Sequence, residues 1–305
     1  MSSSPGETRT MDSVLKALIP AAGRGTRFLP FTKAVPKELV PLVSTPALEF
    51  VVAEAADHGV TDVLLVVSPD KSAISEYFAP NVELEAALEA KGDEAALASI
   101  RRASKLAAIH QVEQLQPRGL GDAVAHGERF AAGEPLAVLL PDDLIDDRDH
   151  LLGRMFEVFS EHGGIVLGLI DVAREDISKY GIVSLAEGSK PSDEVVAIAD
   201  LVEKPTPEQA PSTLAIIGRY VLPAEIFDAL RTIAPGAGGE VQLTDAMRTL
   251  AHDGVPVHGV VFRGRRYDTG DRLGYVKAVV QLAVRHPEIG DDFTSWLRKY
   301  VSTEA

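Results

Sequence analysis

An α/β protein, with a mostly parallel sheet covered by helices, is predicted by three observations. Short β-type runs alternate with helical stretches through most of the 305 residues. Several of those runs are continuously apolar, as strands buried on both faces tend to be. The stretches between them carry helix start and stop signals, so the pattern reads β-α-β and calls for a parallel sheet.

In chain order, the first strand is expected over Val14–Ile19. Thr45-Pro46 caps a helix that runs to His58 and stops at Gly59. A strand over Val60–Val67 follows, then an Ala/Leu/Glu-rich helical region from Asn81 to Ser104, broken at Lys91-Gly92. Further strands are expected at Ala107–Gln111, Leu136–Leu140, Gly164–Ile170, Val195–Val202, Leu214–Leu222 and Val255–Phe262. Helices are expected at Pro223–Ile233, Glu240–Asp253, Asp271–Arg285 and Asp291–Val301. Near Tyr180–Lys190, Gly and Ser turns suggest a small antiparallel insert. The whole is a Rossmann-like three-layer α/β/α arrangement with a mostly parallel central mixed sheet, and function belongs at the carboxyl ends of its strands. No repeat, low-complexity segment or linker divides the chain. Residues 13–305 read as a single domain behind a polar, Ser-rich leader over 1–12.

Composition narrows the function classes. With 46% hydrophobic and 25% charged residues the chain is globular rather than disordered. Thirty Lys and Arg against 45 Asp and Glu give a net charge of −15, which disfavours nucleic acid or an anionic membrane as partner. An anionic small molecule would need a local cationic pocket against that background. The absence of Cys excludes disulfides, thiolate metal sites and Cys nucleophiles. No apolar run approaches the ~18 residues of a membrane span, and residues 14–19 are too short for a signal peptide. A cytoplasmic protein is expected.

The first strand runs into Pro20-Ala21-Ala22-Gly23-Arg24-Gly25-Thr26-Arg27. Glycines after a buried strand let a backbone approach a ligand, and their N–H groups can face phosphate oxygens. The third glycine of a dinucleotide fingerprint is missing and no Gly-Lys-Ser/Thr follows, so neither a nicotinamide dehydrogenase nor a P-loop is supported. From Ser13 to Lys37 there is no acidic residue, while Lys16, Arg24, Arg27, Lys33 and Lys37 are all present. Such a loop is either a solvated basic turn or a polyphosphate site, and the adjoining Gly turn favours the second. Leu136–Leu140 ends in Pro141-Asp142-Asp143, which is either a loop cluster or a strand-end carboxylate poised for Mg²⁺. Glu203-Lys204-Pro205 ends another apolar run and by itself reads as an exposed ion pair before a Pro-rich loop. The eight His show no zinc spacing and no Gly-x-Ser-x-Gly elbow occurs.

Taken together, Ile19-Pro20-Ala21-Ala22-Gly23-Arg24-Gly25-Thr26-Arg27-Phe28-Leu29-Pro30 and Thr32-Lys33-Ala34-Val35-Pro36-Lys37-Glu38-Leu39-Val40-Pro41 resemble the signature of the sugar-1-phosphate nucleotidylyltransferases. The Pro-Lys-Glu form is similar to that of the bacterial UTP–glucose-1-phosphate uridylyltransferases; thymidylyltransferase relatives usually have Lys-Gln there. Further matches are Gly119-Leu120-Gly121, Leu140-Pro141-Asp142-Asp143, Val202-Glu203-Lys204-Pro205, Gly218-Arg219-Tyr220, Gly239-Glu240-Val241-Gln242-Leu243-Thr244-Asp245 and Tyr267-Asp268-Thr269-Gly270. The sequence departs from the pattern at Asp122, where a histidine usually follows Gly-Leu-Gly.

The resemblance implies transfer of a uridylyl group from UTP to glucose 1-phosphate, giving UDP-glucose and pyrophosphate with Mg²⁺, and glucose-1-phosphate thymidylyltransferase as the alternative. It implies Arg24 and Lys37 on the polyphosphate and its transition-state charge, and Ala21, Ala22, Gly23, Glu38, Gln114 and Gly119 on the nucleotide. Gln114 would pair with the uracil edge and Glu38 would sit beside it. Asp143, Gly181, Glu203 and Lys204 would serve the sugar and its phosphate, and Asp142 and Asp268 the metal. The sugar-binding part would span roughly 164–270 and C-terminal helices 271–302. A homo-oligomer, dimer or tetramer, is expected.

Overall fold

A computed structural model describes residues 14–236 and 239–304; the leader expected over 1–12 lies outside the described residues. The strands are β1 (Lys16–Ala21), β2 (Pro41–Leu42), β3 (Thr45–Pro46), β4 (Asp62–Val67), β5 (Ala108–Glu113), β6 (Leu136–Leu139), β7 (Asp143–Ile145), β8 (Ile165–Asp171), β9 (Gly181–Leu185), β10 (Val195–Glu203), β11 (Leu214–Leu222), β12 (Val257–Val261) and β13 (Arg266–Asp268). The helices are α1 (Ala47–Asp57), α2 (Ser72–Phe78), α3 (Val82–Lys91), α4 (Glu94–Ala103), α5 (Leu120–Ala125), α6 (Glu128–Ala131), α7 (Leu151–His162), α8 (Ile226–Thr232), α9 (Leu243–His252), α10 (Arg272–Arg285) and α11 (Gly290–Glu304).

Nine strands form one mixed sheet in the order β5-β4-β1-β6-β11-β8-β12-β10-β9. β5, β4, β1 and β6 are parallel, and β8 and β12 are parallel to each other. β11 runs antiparallel between β6 and β8, and β10 antiparallel between β12 and β9. The expected antiparallel insert is therefore the far edge of this sheet rather than a separate unit. β11 also bends to reach β9 at Ala215↔Ile182, so that edge curls back on itself.

The continuous apolar runs have a two-sided cause. In β1, Ala17, Ile19 and Ala21 bury with residues of α1, α2, α7 and α10, while Leu18 buries on the other face with α5, α8 and α9. Alternate residues thus serve opposite cores, and polar positions are lost from the strand. Asp271 caps α10 as a helix start, its Oδ1 accepting from the N–H groups of Leu273 and Gly274. Gly92, at φ +69°, ends α3 and makes the expected break.

Two local expectations change. Thr45 and Pro46 do not cap α1 with a side chain; they pair as β3 with β2, and the helix starts at Ala47. Helix α7 lacks a side-chain cap and contains Gly153, which masks it in the sequence. A Cβ on Gly153 would lie 2.6 Å from His58 Cδ2, so the glycine lets α7 pack against the end of α1. Among the described residues no helix is long and apolar enough to cross a membrane.

Candidate active site

The loop after β1 is shaped by glycine and by a buried lysine. Gly25 sits at φ +63°, and a Cβ there would lie 3.0 Å from Lys37 Cβ and 3.2 Å from Thr32 Cγ2. At Gly23 the nearest atom to an added Cβ would be Lys37 Cε at 3.7 Å, an ordinary contact, so the protein itself does not demand a glycine there. Lys71 Nζ donates to Ala21 O and Gly23 O, both at 2.6 Å, and to the Glu38 carboxylate at 2.9 and 3.1 Å. With those carbonyls turned inward, the backbone N–H groups of Gly23, Arg24 and Gly25 have no protein acceptor among the described residues. Unpaired donors on a Gly turn form a concavity suited to an anion.

Lys71 was not singled out in the sequence, and its role displaces that expected of Glu38. Glu38 is only 2% exposed, with both oxygens on Lys71. Burial pushes its carboxyl up, opposed by the Lys71 and Lys37 ammonium groups. It holds the loop and does not line the cavity where a base contact would stand.

Two cavities hold most of the expected site residues. One of about 400 Å³ is lined by Ala22, Arg24, Lys33, Lys37, Asp70 and Gln114 among others. The other, about 350 Å³, is lined by Asp142, Gly181, Glu203, Lys204, Thr244 and Asp268 among others. Lys37, which lines the first, and Asp142, which lines the second, are in contact, Nζ to Oδ2 at 2.7 Å. Burial alone would lower the Lys37 ammonium, but attraction to Asp142 and Glu38 and the hydrogen bond to Asp142 leave it raised. Burial alone would raise Asp142, and the Lys37 ammonium overrides it, holding the carboxyl below its ordinary value.

Asp142 and Asp268 are brought together by the antiparallel pairing of β7 with β13, in which Asp268 stands opposite Asp143. Thr269 N–H donates to Asp142 O at 2.8 Å and continues that register. Asp268 Oδ1 and Asp142 Oδ2 would lie 3.1 and 3.3 Å from a Cβ on Gly270, so both carboxylates converge on one spot that glycine keeps clear. Burial, with the Asp143 and Asp142 charges adding to it, leaves Asp268 raised against the pull of Gly270 N–H and Arg266. No cluster of three or more His, Asp or Glu able to hold a metal occurs among the described residues. Two converging carboxylates instead suit a hard cation that completes its shell with water and phosphate oxygens.

In the second cavity, Glu203 Oε2 accepts from Thr244 Oγ1 at 2.7 Å, while Lys204 Nζ lies 3.2 Å from Glu203 Oε1. A Cβ on Gly181 would come within 3.3 Å of Glu203 Oε2, so little room exists there for a side chain. Lys204 adopts φ +43°, held by its N–H donating to Tyr180 O at 3.0 Å. A left-handed lysine is strained, and Lys204→Gly is expected to stabilise the fold by about 0.5–1 kcal/mol. Urea unfolding checks this, and a loss of stability would show that the strain is not relieved.

Other expected residues take structural places. Asp143 lines the second cavity, but its Oδ1 accepts from Arg266 Nε at 2.6 Å and its Oδ2 from Gly218 N–H at 2.8 Å. Its oxygens are engaged, and a carboxylate would repel a sugar phosphate, so Asp143 is reassigned to fixing β11 and β13. Gly119, at φ +101°, would place a Cβ 2.8 Å from Val241 O; the backbone it admits is the chain's own. Ala21 is buried with its carbonyl on Lys71, whereas Ala22 lines the first cavity. Gln114 lines that cavity too, its Nε2 donating to Asp122 Oδ2 at 2.6 Å. Thr244 and Arg266 were not assigned from the sequence; Thr244 lay inside a quoted motif, and Lys71 follows a buried strand end, the one cue it offered.

Comparison with known proteins gives a consistent result. The sequence model of the family described as "Nucleotidyl transferase" matches residues 16–283. A UTP–glucose-1-phosphate uridylyltransferase of Bacillus subtilis strain 168 is 43% identical over 291 residues, covering 95% of this chain and 97% of that protein. The UTP-bound UGPase from Acinetobacter baumannii superposes with a TM-score of 0.85 at 38% identity, covering 93% of this chain and 98% of the other. A putative glucose-1-phosphate thymidylyltransferase from Bacillus anthracis shares the fold alone, with a TM-score of 0.69 at 20% identity over 92% of this chain and 98% of the other.

Proposed function

Because this chain belongs to the nucleotidyl transferase family, we propose that it transfers the uridylyl group of UTP to α-D-glucose 1-phosphate, giving UDP-glucose and pyrophosphate. The observation that carries the reading is the Lys37–Asp142 pair, which links a residue lining one cavity to a residue lining the other. One side offers free N–H donors and cations for a triphosphate; the other offers a hydroxyl-binding glutamate and a lysine for a sugar phosphate.

The nucleophile is the already ionised phosphate oxygen of glucose 1-phosphate, so no general base is needed. It forms a bond to the α-phosphorus of UTP in line as the bond to pyrophosphate breaks. The chain's own work is positioning and charge stabilisation. Gly23 and Arg24 hold the polyphosphate, Lys37 faces the charge that moves toward pyrophosphate, and Lys204 meets the sugar phosphate. Glu203, oriented by Thr244, accepts from glucose hydroxyls, and Gly181 keeps the sugar close. Gln114 reads the base. Asp142 and Asp268 would hold Mg²⁺, which would supply further positive charge against that of the phosphates. We place the protein in the cytoplasm, and the exposed Leu273, Val276, Trp296 and Tyr300 on α10 and α11 support a homo-oligomer.

Pyrophosphate release measured across five nucleoside triphosphates and several sugar 1-phosphates tests the reading. UTP with glucose 1-phosphate is expected to be preferred. Because UTP and TTP differ at the base by one methyl, the base pocket alone separates them by only ~1–3 kcal/mol, and measurable TTP use is expected. A higher kcat/KM with TTP would reassign the chain to the thymidylyltransferases. Lys204→Ala is expected to raise KM for glucose 1-phosphate, by the roughly 1.5–3 kcal/mol of one charge-assisted hydrogen bond, with calorimetric UTP affinity nearly unchanged. Loss of UTP binding with an unaltered glucose 1-phosphate KM would reverse the assignment of the two phosphates.

A further inference from the structure

We infer that Asp122 is a positioning residue that sets base specificity by locking the Gln114 amide in one orientation, an inference that rests on the reading of Gln114 as the base contact. Gln114 is 5% exposed, and its N–H is tied to Val67 O at 2.8 Å, so the backbone at the end of β5 fixes where the side chain starts. Its amide then meets the Asp122 carboxylate at 2.6 Å. A carboxylate only accepts, so the amide nitrogen must face it; the opposite flip would set two acceptor oxygens against each other. Asp122 itself is steadied from the far side, where His126 Nδ1 lies 2.7 Å from its carbonyl oxygen and 3.9 Å from Oδ2. Gln114 lines the cavity and Asp122 does not, so Asp122 acts from behind.

The lock has a chemical reading. With Nε2 held toward Asp122, Oε1 has no partner among the described residues and is the group left to meet a ligand. An acceptor there, beside the second amide hydrogen, complements uracil, whose N3–H donates and whose neighbouring carbonyl accepts. Cytosine presents the reverse, an acceptor at N3 beside a donating amine, and would need the flipped amide. A pyrimidine site that permitted both orientations would take UTP and CTP more nearly alike. The carboxylate behind the glutamine removes that freedom.

Steady-state kcat/KM for UTP and for CTP, with glucose 1-phosphate saturating, is measured on the wild type, Asp122→Asn and Asp122→Ala. Both substitutions free the amide to flip, and one retains the shape of the side chain. UTP turnover is expected to persist, with the CTP-to-UTP ratio of kcat/KM rising roughly tenfold or more, the weight of one charge-assisted hydrogen bond. A purely structural role would lower both values together, and an unchanged ratio in a folded variant overturns the role of Asp122. Two substitutions of different size keep the test open if one fails to fold. Wild-type protein that forms no UDP-glucose would instead overturn the reading of the whole site, a result distinct from an active wild type with an indifferent ratio.

Discussion

Asp142→Asn is expected to cut turnover roughly a hundredfold or more while leaving the fold intact. The change removes a charge and almost no volume. The backbone bonds that seat residue 142, from Thr269 N–H at 2.8 Å and Thr269 Oγ1 at 3.1 Å, do not involve its side chain. What is lost is half of a converging carboxylate pair and the partner that holds Lys37 at 2.7 Å. Wild-type protein in excess chelator should fail in the same way, and chelation should add little to the failure of the variant. Circular dichroism and pyrophosphate release at fixed Mg²⁺ check both halves. Near-normal turnover of the variant, or full wild-type activity in chelator, would remove Asp142 from the metal site.

Lys71→Met carries the largest expected effect on stability. Lys71 is 6% exposed, and its ammonium is the partner of both Glu38 oxygens and of two loop carbonyls. Breaking a buried pair from one side costs about 3–5 kcal/mol, because the remaining charge is stranded. Glu38, whose carboxyl burial already pushes up, would then shed its charge by taking up a proton. The double variant Lys71→Met/Glu38→Leu should recover much of the stability, since removing both charges leaves no stranded ion. Activity should not return with it, because Ala21 O and Gly23 O still lack the donor that turns the loop's N–H groups outward. Urea unfolding and initial rates on the two variants separate these effects. A single variant as stable as the wild type would show that the pair is not what holds the loop.

Much of the fold was legible because its strands are buried on both faces. Leu136–Leu140 is wholly apolar and Leu214–Leu222 carries one charged residue, Arg219, and β6 and β11 lie in the middle of the sheet. Helix α7 escaped because a packing glycine and an uncapped start erase the local cues on which helix reading depends. The site was legible where a residue type announced its chemistry, as with the acid-free loop and the strand-end Asp142. It was not legible where the partner lies far along the chain. Glu38 in a basic loop looks like a ligand contact until Lys71, 33 residues on, is seen beside it. Asp143 was expected to serve the sugar and its phosphate, yet its carboxylate turns to Arg266, 123 residues away.

The β7–β13 pairing also sets when the two carboxylates can first meet. Thr269 and Asp142 are 127 residues apart in sequence, so the second carboxylate can reach the first only after every intervening strand has been made. Contacts of that span are slow to form because the chain must close a long loop before they reward it. A nascent chain that stops before β13 holds the residues of β1, β4 and the loop between them, yet it lacks one of the two converging carboxylates. The carboxylate pair therefore arises in one step, with β13, rather than growing with chain length.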